Sequence, residues 1–127
     1  MALPRNPRPT ESELGILRVL WAQDGATVRE VHAALGTSTG YTTVLKLMQI
    51  MAEKGLVTRD EQQRAHIYRA RSEQGETERL LVGDLVTRAF GGSAARMMMH
   101  LLDSQPPSPE ELAALRKLLD DQEAAQR

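Results

Sequence analysis

The apolar residues Leu14, Ile16, Leu17, Val19, Leu20 and Trp21 come directly after Thr10-Glu11-Ser12-Glu13. A threonine followed three residues later by glutamate forms the reciprocal side-chain cap of a helix N-terminus. A first helix is therefore predicted over about 11–22, closed by the turn residues Asp24-Gly25. Thr27 caps a second segment whose Val28, Val31, Ala34 and Leu35 recur at helical spacing until Gly36. The polar turn Thr37-Ser38-Thr39-Gly40 leads into a third helix over about 41–54, with Val44, Leu47, Met48 and Met51 facing inward and Gly55 at its end.

Beyond Gly55 the period changes. Leu56-Val57-Thr58-Arg59 and His66-Ile67-Tyr68-Arg69 are rich in strand formers and flank the polar stretch Asp60 to Ala65, a pattern that predicts a two-stranded hairpin with a charged tip. Helix then returns with the stripe Leu80, Leu81, Leu85, Val86, Ala89 and Phe90, which stops at Gly91-Gly92. A short helix with Met97, Met98, Met99, Leu101 and Leu102 follows. After Pro106-Pro107, the group Ser108, Pro109 and Glu111 opens a last amphipathic helix through Leu112, Leu115, Leu118 and Leu119. The order helix, helix, helix, hairpin predicts a mainly α fold with a small β-hairpin wing. It divides into a flexible arm over 1–9, a winged helix-turn-helix over 10–71 and a helical dimerisation region over 72–127. Arg5 and Arg8 in the arm fit either a phosphate contact or a loose end.

Charge divides the same way. The whole chain carries a net charge of -1, but residues 1–71 hold ten Lys and Arg against seven Asp and Glu, a balance of +3, whereas 72–127 hold six against ten, a balance of -4. Such asymmetry suggests a basic binding half and an acidic half with another task. With no Cys, disulfides, thiolate metal sites and cysteine nucleophiles are excluded. No apolar run approaches the roughly 20 residues that span a bilayer, and the N-terminus lacks the apolar stretch of a secretory signal, so a cytoplasmic protein without membrane insertion is expected.

A short turn between two helices is what sets a recognition helix into the major groove of DNA. Tyr41, Thr42 and Thr43 open the third helix, and Lys46 and Gln49 continue a polar face opposite Val44, Leu47, Met48 and Met51. Thr meets thymine methyls or base edges, Gln pairs with adenine, and Lys holds guanine or phosphate. The same face also fits an ordinary solvated helix. Arg59, Arg64, His66 and Arg69 on the hairpin suit a wing resting on the sugar-phosphate backbone, or else a charged strand edge that blocks aggregation. In the second half, Leu80, Leu81, Leu85, Val86, Phe90, Met98, Leu101, Leu102 and Leu115 have no separate core large enough to bury them, so a homodimer is expected.

Three consecutive Met suggest soft metal ligation, but neighbouring helical side chains diverge, which favours a pliable apolar interface. His32 and His100 read as a surface and an interface residue rather than ligands, and no metal or other cofactor is expected. The chain has no Gly-rich phosphate loop, HExxH or GxSxG, and Glu110-Glu111 and Asp120-Asp121 read as solvated charge, so no enzyme is expected. Two functions remain for these residues: binding of double-stranded DNA, or a winged-helix protein-interaction module without direct DNA binding.

Leu14 through Trp21, Ala26-Thr27-Val28-Arg29-Glu30-Val31, Tyr41-Thr42-Thr43-Val44-Leu45-Lys46-Leu47 and Glu53-Lys54-Gly55-Leu56-Val57 together resemble the penicillinase repressor (BlaI/MecI) family, over about Thr10 to Gln122. The resemblance implies a winged-helix dimer that binds inverted repeats with TACA/TGTA elements before β-lactamase or penicillin-binding-protein genes. It also implies induction by a membrane sensor protease that cuts the dimerisation region at an Asn-Phe bond. Here the corresponding stretch reads Met97-Met98-Met99-His100-Leu101-Leu102, without Asn-Phe, so the candidate cleavage region is Met99 and His100 on the resemblance alone. A copper-responsive branch uses a cysteine-rich site, which this chain lacks.

Overall fold

The computed structural model describes residues 7–36 and 38–127; Arg5 of the arm and Thr37 of the turn lie outside them. The elements run α1 (Glu11–Gln23), α2 (Val28–Leu35), α3 (Tyr41–Lys54), β1 (Val57–Asp60), β2 (Ile67–Ala70), α4 (Gln74–Ala89), α5 (Ala94–Ser104) and α6 (Pro109–Ala125). Contacts divide the chain into two units, one ending at Gly83 and the other beginning at Asp84, within α4. No described helix is long and apolar enough to cross a membrane.

The first unit is a winged helix-turn-helix. Ile16, Leu17 and Leu20 of α1, Val28 and Val31 of α2 and Val44, Met48 and Met51 of α3 enclose one core with Leu56, Val57 and Tyr68 from the hairpin. Leu47, expected inward, is half-buried at its edge. β1 and β2 pair antiparallel, Val57 opposite Ala70 and Asp60 opposite Ile67. Both strands begin one residue later than the β-former pattern suggests. The Leu56 N–H is taken by the Met51 carbonyl (2.9 Å), closing α3 in a Schellman arrangement with Gly55 left-handed, so the ladder starts at Val57.

Ala26, between α1 and α2, exchanges two backbone hydrogen bonds with Tyr68, at 2.9 and 2.8 Å. That bridge ties the wing to the helices. The chain reaches it through Gly25 (φ 101°), where a Cβ would stand 3.0 Å from Arg69 Cγ. The positive φ strains any other residue there, and a Cβ would also crowd the Arg69 side chain.

Capping glutamates do more than end helices. Glu13 accepts the Thr10 N–H (2.8 Å), and its two carboxylate oxygens each accept a bond from Lys54 Nζ (2.9 and 2.9 Å), joining the start of α1 to the end of α3. Burial raises the Glu13 pKa, but the Thr10 amide and the Lys54 ammonium outweigh it and hold the carboxyl below its ordinary value. Trp21 Nε1–H donates to the Ser72 carbonyl (2.9 Å), anchoring the segment after the wing to α1. Thr77 of α4 is buried, and Leu80 shares a small recess with Leu17 and Leu56.

The second unit is built of helices. Gly91 and Gly92, both with positive φ, break α4 from α5. Ser108 and Glu111 cap α6 reciprocally, with Pro109 as its first residue. Neither α5 nor α6 buries a single residue. Met98, Leu101, Leu102, Leu112, Leu115, Leu118 and Leu119 instead line an open groove of about 290 Å³, with Leu118 and Leu119 each 60 % exposed.

Candidate nucleic-acid interface

The third helix begins without a side-chain cap. Its N-cap is Gly40, which offers none, whereas α1, α2, α5 and α6 start on Thr10, Thr27, Ser93 and Ser108, each accepting a backbone N–H. Here the turn is held from α2. His32 Nε2 lies 2.9 Å from the Thr39 carbonyl oxygen, and its ring meets Tyr41 edge to face, with centroids 5.7 Å apart at 84°. A carbonyl only accepts, so Nε2 carries the proton. His32 is thus half-buried in the helix-helix turn rather than free on the surface as its sequence context suggested, because α2 and α3 cross over it.

Tyr41, Thr42, Thr43, Lys46 and Gln49 are all exposed on α3, opposite the buried Val44, Met48 and Met51. A cleft of about 550 Å³ opens between this helix, the start of α2 and the wing. Its walls are Thr27, Val28 and Arg29 of the α2 start, Tyr41, Leu45 and Gln49 of α3, and Arg59, Arg64, Ala65, His66 and Tyr68 of the hairpin. The fold therefore brings Tyr41, Gln49, Arg59, Arg64 and His66 together, while Thr42, Thr43 and Lys46 share the helix but not the cleft.

Three arginines line the cleft and no acid does. Arg59 is partly committed: the Tyr68 hydroxyl and then the Glu61 carboxylate raise its pKa above the usual value, and it pairs with Glu61. Among the described residues, Arg29, Arg64 and Lys46 have no salt bridge, which leaves their charge for an external anion. No three His, Cys, Asp or Glu side chains among the described residues group as metal ligands.

The sequence reading did not single out Arg29, which joins the cleft from the first turn of α2, where a cation opposes the helix dipole. Leu45 was missed as well, since an apolar residue at the rim of a polar face reads as core.

A family model for the penicillinase repressor matches residues 9–121. The chain belongs to this family. Its relatives include the transcriptional regulator BlaI of Mycobacterium tuberculosis, which is 32% identical over 116 residues, covering 88% of this chain and 83% of that protein. The penicillinase repressor of Bacillus licheniformis is 19% identical over 117 residues, covering 91% of each. Penicillinase repressors are DNA-binding transcriptional repressors rather than enzymes, and the winged helix-turn-helix seen here is their architecture.

Proposed function

We propose that this repressor binds a double-stranded inverted-repeat operator as a cytoplasmic homodimer, each protomer setting α3 into the major groove and its wing on the backbone. The observation that carries the reading is the acid-free, arginine-lined cleft between α3 and the wing, in a chain whose net charge is -1. Thr42, Thr43, Lys46 and Gln49 meet base edges, while Arg64, His66 and Arg29 meet phosphates flanking the groove. Arg59, tied to Tyr68 and Glu61, shapes the wing and adds less charge.

The apolar groove of α5 and α6 supports pairing with a second copy, which would cover side chains that a lone protomer leaves in water. Two recognition helices related by a two-fold axis then read half-sites about one helical turn apart, or a multiple of that. A protein-docking module without DNA would need an apolar patch at the α3–wing face; among the described residues of the first unit the large exposed apolar ones are only Tyr41 and Val82. β-Lactam resistance genes are the first targets to examine, given what the relatives are named for. Relief by a membrane sensor protease at Met99 and His100 would require α5 to unfold locally, because both residues lie within that helix.

Selection from a randomised duplex library, followed by footprinting and sedimentation of the complex, tests the reading. The expected product is a palindromic sequence bound by two chains. Failure to enrich any sequence overturns it.

A further inference from the structure

We propose that His32 is a positioning residue for sequence recognition, holding the start of α3 at its working angle through Nε2 while touching no base itself. The inference rests on the DNA-binding reading of α3. Gly40 leaves the first turn of α3 without a side-chain cap, so within α3 only backbone bonds such as Val44 N–H to the Gly40 carbonyl (3.1 Å) fix where Tyr41, Thr42 and Thr43 point. The bond from His32 Nε2 to the Thr39 carbonyl clamps the residue just before that cap, seven positions along the chain, and the same ring sets Tyr41 from its edge. One side chain thus constrains both the turn and the first residue of the recognition helix. The core residues of α3, Val44, Met48 and Met51, hold the helix against α1 and α2 but begin a full turn later. A small pivot of the N-terminal turn would leave them packed while moving the base-reading side chains.

The geometry also says which variant rescues. Glutamine places its amide nitrogen near the position of Nε2, whereas asparagine reaches only as far as Nδ1. His32→Gln should therefore retain the bond to Thr39, and His32→Asn should lose it. Ala33→Asn, at the exposed neighbouring position of α2, controls for the helix propensity of asparagine.

The four proteins are titrated at fixed salt against a duplex enriched by wild type from a random library and against its scrambled counterpart, alongside melting curves. His32→Asn should lower the ratio of specific to non-specific affinity by about three- to tenfold, the worth of one hydrogen bond. Binding to the scrambled duplex should stay unchanged, while His32→Gln and Ala33→Asn stay near the wild-type ratio. If wild type discriminates and His32→Asn does so equally well, or if its loss is the same on both duplexes and tracks a fall in Tm matched by Ala33→Asn, this proposal alone is overturned. A wild type that fails to discriminate overturns the DNA reading and this one with it.

Discussion

Breaking the Glu13–Lys54 pair should cost very different amounts depending on which partner is removed. The Glu13 side chain is 2% exposed and that of Lys54 is 39% exposed, with both carboxylate oxygens 2.9 Å from Nζ. Lys54→Met strands a carboxylate in the core with the Thr10 amide as its remaining strong donor, and removing one partner of a buried pair typically costs about 3–5 kcal/mol. Because the Thr10 bond persists, about 2–4 kcal/mol is expected. Glu13→Gln keeps an acceptor for Thr10 and lets Lys54 turn into water, so the Lys54 bonds are given up without stranding a charge and the Thr10 bond loses its charge assistance, about 1–2 kcal/mol in all. The pH dependence follows from the same groups. Glu13 titrates lower folded than unfolded, so below its ordinary value of 4.5 the unfolded chain binds the extra proton. The pair's stabilisation is complete above that pH and drains away as the pH falls through the folded value. Urea unfolding of wild type, Glu13→Gln and Lys54→Met at pH 7 and at pH 3.5 measures all of this, provided the m-values agree. The gap between wild type and Glu13→Gln should narrow at the lower pH. Equal costs for the two variants at pH 7, or a gap that widens in acid, would refute the reasoning.

Thr43→Ala should cost about 1–3 kcal/mol on the selected operator while sparing a scrambled duplex, as expected for a lost base contact. Equal losses on both duplexes, with a lowered Tm, would make Thr43 a packing residue instead. Arg64→Ala should weaken binding to all sequences alike and reduce the log-log salt slope by about 0.9, the contribution of one phosphate. A changed sequence preference with an unchanged slope would move the wing off the backbone. Leu115→Asp puts a charge into the α5–α6 groove and should shift sedimentation from twice the 14.1 kDa chain mass to that mass at micromolar concentration. A wild type that sediments as a monomer there would remove the dimer from the account.

Much of the fold was legible in the sequence because it is built from local rules. The capping pairs Thr10/Glu13 and Ser108/Glu111, the glycines ending α2 and α3 and the switch from helical spacing to strand formers after Gly55 all act over a few residues, and each places an element close to where it lies. The polar face of α3 was legible for the same reason, since one buried side of a helix defines its opposite. The one-residue shift of the strands shows where local pattern stops: Leu56 has a strand former's neighbours, but its amide completes the end of α3.

What the tertiary structure alone decided are relations between residues far apart in the chain, which no periodicity encodes. Glu13 and Lys54 are 41 positions apart, and nothing around either signals that one capping carboxylate also pairs with the lysine that ends α3. Arg29 joins Arg59 and Arg64 only because the bridge between Ala26 and Tyr68 brings the start of α2 beside the wing. His32, isolated on an amphipathic helix, acquires its partner only once the packing of α2 and α3 sets the Thr39 carbonyl against Nε2. Composition and spacing determined which surfaces are apolar, which are charged and which elements carry them. Packing decided which of those surfaces meet, because the partners of a buried bond are chosen by the three-dimensional path of the backbone between them.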